Sequence, residues 1–66
     1  MTFGEALEYA KAGRRITRTG WPFSDIVYAE YTLDMSPYLV VQSEGREAIP
    51  YFATDIDLFA DDWETI

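Results

Sequence analysis

The 66-residue sequence contains no cysteine and no histidine. Those absences exclude disulfide frameworks, thiolate zinc sites and His-ligated metals, together with Ser-His and Cys-His nucleophilic chemistry. Gly4, Gly13, Gly20 and Gly45 are scattered, so no glycine-rich loop exists to cradle a phosphate. Basic residues are scarce: five Lys and Arg stand against twelve Asp and Glu, a net charge of −7. Nucleic-acid polymers draw their affinity from many Lys and Arg contacts to phosphate, so such a partner is not expected. No apolar run approaches membrane-spanning length, and the opening MTFGEALEYAK lacks a basic n-region and an apolar h-region. A soluble, intracellular protein without a membrane partner is expected.

What is present is apolar and aromatic. Hydrophobic residues make up 48 % of the chain and aromatics 17 %, generous for one small domain spanning 1–66. A chain of this length buries only about 60 % of the surface its unfolded form exposes, so small scaffolds often gain stability by association. Some of the apolar surplus is expected in an interface or a ligand pocket. The charge is also unevenly placed. Residues 1–18 hold Lys11, Arg14, Arg15 and Arg18 against two acids (+2), whereas residues 19–66 hold Arg46 against ten (−9). A basic island on an acidic body suits a small anion better than a polymer.

The local patterns predict an α+β fold, an N-terminal helix packed on a small antiparallel meander, with a short C-terminal helical turn. Thr2 and Glu5 form a capping-box pattern, and Phe3, Ala6, Leu7 and Ala10 share one helical stripe that Gly13 is placed to end. Strands are expected over 14–19, 26–33, 38–43 and 47–52, with turns at Asp34–Pro37 and Glu44–Arg46. Gly20-Trp21-Pro22 breaks the first strand, and Pro50 marks an edge or a bulge. Thr54 and Asp57 repeat the cap arrangement, and 61–66 closes the chain as a last short strand.

One acidic cluster, Asp55, Asp57, Asp61 and Asp62, is the sole candidate for a carboxylate-metal site that could serve a hydrolase. The bland reading is stronger: Asp57 caps a helix, and Asp61 and Asp62 form a polar break before Trp63. Neither a metal, a cofactor nor a catalytic residue is expected. Arg18 and Trp21 flank a glycine, Tyr51 and Phe52 precede the Thr54 cap, and two helix N-termini offer free N–H groups. Stacked rings, a bidentate Arg and backbone donors suit a nucleotide-like ligand. Taken alone, aromatic residues in so small a domain more often form core.

Three strings are more specific. Thr2-Phe3-Gly4-Glu5-Ala6-Leu7, Arg18-Thr19-Gly20-Trp21, and the stretch from Ile49-Pro50-Tyr51-Phe52-Ala53-Thr54 through Asp57 to Glu64 resemble, in this order, the Thoeris anti-defence two family of phage proteins. The resemblance implies a non-enzymatic homo-oligomer, typically a tetramer, acting in the cytoplasm of an infected bacterial host. It implies sequestration, without degradation, of a cyclic nucleotide-type immune signal: glycocyclic ADP-ribose and, in some members, the cyclic dinucleotides of the CBASS defence at a second site. Carried over by position, Phe3, Arg18, Trp21, Tyr51, Thr54 and Asp57 would face or shape the ligand pocket. Tyr51 stands where the family commonly has Trp, and the segment between Trp21 and Pro37 is shorter than usual. An acidic module that binds a defence protein directly is the competing non-enzymatic reading.

Overall fold

The computed structural model describes residues 1–22 and 25–66. Phe23 and Ser24, within the segment between Trp21 and Pro37, lie outside the described residues. The elements run α1 (Phe3–Lys11), β1 (Ile16–Arg18), β2 (Ile26–Tyr31), β3 (Pro37–Gln42), β4 (Ile49–Pro50), α2 (Asp55–Phe59) and β5 (Trp63–Thr65). The fold is α+β, as the patterns predict.

Helix α1 begins where its capping box puts it. The Thr2 side chain accepts from the Glu5 backbone N–H, and the Glu5 carboxylate accepts from the Thr2 N–H at 2.9 Å. The helix ends in a Schellman arrangement: Arg14 N–H reaches the Tyr9 carbonyl and Gly13 N–H the Ala10 carbonyl, both at 3.0 Å. Gly13 takes the required left-handed conformation at φ 92°. Between these ends, Ala6 and Ala10 are fully buried. Their small side chains let the helix lie close on Ile16, Val27 and Trp63, which join them in one buried cluster.

The sheet order is β4-β3-β2-β1-β5, and every pairing is antiparallel. Strands β1 to β4 form the expected meander. Strand β5 is not added beside β4, its neighbour in sequence; α2 carries the chain across, and β5 pairs with the free edge of β1. The register sets Arg18 opposite Trp63, Thr17 opposite Glu64 and Ile16 opposite Thr65. Ile16 and Trp63 thus face the helix, while Thr17 and Glu64 lie on the sheet's other face.

The strands are shorter than their sequence patterns suggest, for local reasons. Strand β4 keeps two of the six expected residues and lies at the sheet edge, where the missing N–H of Pro50 costs no ladder bond. Strand β2 stops at Tyr31 because Thr32 already belongs to the turn. Thr32 N–H donates to the Ser36 carbonyl at 2.9 Å, and the Thr32 hydroxyl bonds the Asp34 carboxylate. Met35 follows at φ 68°, a left-handed position that glycine usually fills.

Candidate functional site

Trp63 is the centre of the molecule. It is the largest fully buried side chain, and three other aromatic rings meet it edge-on. Phe3 and Trp21 lie with ring centroids 5.3 Å away and Tyr51 with its centroid 6.4 Å away. Trp21 and Tyr51 also touch each other at 6.0 Å. Edge-to-face pairs at such distances are the favoured geometry for quadrupolar rings. The indole N–H of Trp63 donates to the Asp57 carbonyl at 2.9 Å, so this buried donor is satisfied and ties α2 to β5.

A polar network borders the aromatic cluster. The Arg18 Nε donates to Asp62 Oδ1 at 2.8 Å and Nη1 donates to Asp57 Oδ1 at 3.0 Å. The Tyr51 hydroxyl donates to Asp57 Oδ2 at 2.8 Å, and the Thr54 side chain caps α2 by accepting from Asp57 N–H. Burial works against ionisation of Asp57, but bonds from Tyr51, the Thr54 backbone and Arg18 outweigh it and hold the carboxyl below its ordinary range. Asp62 is lowered chiefly by its bond to Arg18, which is itself raised by Asp62 and then Asp57. Burial and the Asp57 carboxylate push the Tyr51 phenol well above its usual value. Among the described residues, no three carboxylates converge as a cation site would require. Asp57 and Asp62 converge on a guanidinium.

A cleft of about 470 Å³ opens beside this network. Trp21 and Pro22 border it on one side, Ile26 and Ile66 supply apolar surface, and Arg15 and Glu64 supply charge. Arg18 and Thr19 reach its margin. Among the described residues, ion pairs join Arg18 to Asp57 and Asp62, and Lys11 to Glu8; Arg15 and Glu64 enter none. Thr17 and Thr19 are already engaged, their hydroxyls donating to the carbonyls of Asp25 and Asp62 at 2.8 and 3.1 Å.

The six residues singled out in the sequence are therefore neighbours, and they divide into two groups. Arg18 and Trp21 line the cleft. Phe3, Tyr51, Thr54 and Asp57 do not; Phe3 packs on Trp63, and the other three bond one another behind Arg18. The question whether Trp21 plugs the core or forms a wall has a double answer, since the half-buried ring packs on Trp63 and Tyr51 while bordering the cleft. The sequence pattern singles out Arg18 as a pocket residue, leaves Arg15 as one member of the basic island and passes over Glu64. The signal for both was the alternation around Ile16 and Trp63, which puts their neighbours on the opposite face.

The described residues thus form an α+β fold with an open cleft bordered by aromatic and charged side chains. The family model of the Thoeris anti-defense 2-like domain matches residues 1–66, and the chain belongs to that family. No curated protein gives a significant match.

Proposed function

We propose that this protein blunts a Thoeris-type defence by binding and holding its cyclic nucleotide signal, glycocyclic ADP-ribose, without cleaving it. Family membership supplies the anti-defence role. The observation that carries the chemistry is the cleft of about 470 Å³, whose lining includes the Trp21 ring and the guanidinium of Arg15, which enters no ion pair among the described residues. A purine stacked on an aromatic ring gains about 1–3 kcal/mol, and a charged hydrogen bond to phosphate about 1.5–3 kcal/mol. Sequestration needs affinity and no acid, base or metal. The competing hydrolase built on Asp55–Asp62 has little support, because Asp57 and Asp62 are bound to Arg18.

On this reading the protein works in the cytoplasm of the infected host, as a homo-oligomer. Phe52, Ile56 and Phe59 support association, standing 84 %, 74 % and 87 % exposed around a helix that buries none of its own side chains. Arg15 replaces Arg18 as the residue of choice for testing the anion contact, since removing Arg18 strands two carboxylates.

Titration calorimetry with glycocyclic ADP-ribose, followed by heat denaturation and recovery of the nucleotide, tests the proposal. Intact nucleotide is expected. Arg15→Ala should weaken binding by about 1.5–3 kcal/mol with an unchanged melting temperature. Recovery of cleavage products, or undiminished binding by Arg15→Ala, would overturn the corresponding half of the reading.

A further inference from the structure

The open face of the β1–β5 pair carries four side chains in a square. Thr17 lies opposite Glu64 in the ladder, and Arg15 and Ile66 occupy the next positions on the same face, joined through the Ile66 N–H to the Arg15 carbonyl at 3.0 Å. The Thr17 hydroxyl donates its hydrogen bond to the Asp25 carbonyl. Among the described residues, the unengaged polar heads of this square are hence an exposed guanidinium, which can only donate, and an exposed carboxylate, which can only accept. Diagonal neighbours on adjacent strands lie roughly 7–8 Å apart at the backbone, and these two make no ion pair.

A carboxylate in a cleft meant for an anion is a cost unless the ligand brings donors to it. An all-phosphate ligand would satisfy Arg15 and be repelled by Glu64. A cationic head would satisfy Glu64 and be repelled by Arg15. A neutral vicinal diol gives two O–H donors to one carboxylate and leaves the phosphate for the guanidinium. Dinucleotide-binding enzymes use an acidic residue on ribose in this way. The apolar surface of Trp21, Pro22 and Ile26 then remains for the base.

We propose that Glu64 is the specificity-determining residue of the cleft, selecting phosphorylated ribosyl ligands whose ribose retains a free cis-diol. The inference rests on the reading that this cleft is where the nucleotide binds. It adds a selection rule that Arg15 and Trp21 cannot supply, because a guanidinium and a stacking ring accept any nucleotide.

The test is calorimetry of the wild type, Glu64→Gln and Glu64→Asp with three probes: ADP, its dideoxyribose analogue and glycocyclic ADP-ribose. The wild type should hold ADP about tenfold or more tightly than the dideoxy analogue, as expected for a charged hydrogen bond. In Glu64→Gln the two should bind within about twofold of each other, the analogue no more weakly than to wild type, and Glu64→Asp should restore part of the preference. Thermal melts should be unchanged, since Glu64 is exposed and unpaired. A preference that survives in Glu64→Gln, or is absent from the wild type, overturns the assignment while leaving the cleft reading intact if glycocyclic ADP-ribose still binds. Failure of all three probes to bind the wild type overturns both.

Discussion

Arg18 joins three segments of the chain through one guanidinium. It projects from β1, meets Asp57 within α2, and meets Asp62 between α2 and β5. Both carboxyls titrate below the ordinary value of 3.8 in the folded protein. Their contribution to stability is therefore complete above that value and is lost as pH falls through the lower, folded-state values. Melting temperature should drop steeply below about pH 4. Asp57→Asn should lower it at neutral pH and flatten the acid limb, because the variant has one fewer proton to take up on unfolding. Circular dichroism melts between pH 2 and pH 7 measure this, and parallel curves for variant and wild type would refute it. The partnership itself was not legible in the sequence. Asp57 reads locally as a cap, which it is, but the contact from Arg18 spans 39 residues, and no local pattern encodes it.

Elements governed by near neighbours were the legible ones. Both capping boxes, the Gly13 stop and the Pro50 edge depend on residues a few positions apart, and each lies where the pattern put it. The ends of β2 and β4 were less legible, because Thr32 bonding and the sheet edge decide them. Placement of β5 beside β1 was not legible, since 61–66 reads as a strand with no indication of its partner. The β2–β3 turn shows local energetics acting against composition. Met35 occupies a left-handed conformation that costs non-glycine residues about 1–2 kcal/mol, and its side chain is 72 % exposed. Met35→Gly should therefore stabilise the protein by about 0.5–1 kcal/mol, the gain being reduced by glycine's larger unfolded-state entropy. A raised urea midpoint at unchanged m-value is the expected result. A lowered midpoint would mean that the Met35 side chain has a partner in solution.

At the scale of the whole molecule, the apolar content exceeds what one copy can hide. The core consists of Ala6, Ala10, Ile16, Val27, Val40 and Trp63, and two of these are alanines. On the proposed reading, light scattering at micromolar concentration should report an assembly larger than the monomer. Phe52→Asp combined with Phe59→Asp should shift it toward monomer, as loss of two large exposed rings from an interface predicts. A wild-type monomer that melts cooperatively at high temperature would argue against assembly as the source of stability.

The β1–β5 ladder sets how this chain must reach its native state. Arg18 and Trp63 pair across 44 intervening residues, so the loop has to close before either contributes to the sheet. The entropy of closure is met only by contacts that appear with it, which favours a slow, concerted transition over stepwise assembly. The buried cluster joins both ends of the chain: Ala6, Ala10, Ile16 and Val27 come from the first half and Trp63 from the second. The cleft inherits this property, since its lining comes from two distant segments, Arg15 to Ile26 and Glu64 to Ile66. On the proposed reading, ligand would therefore capture the finished fold rather than a partly folded one.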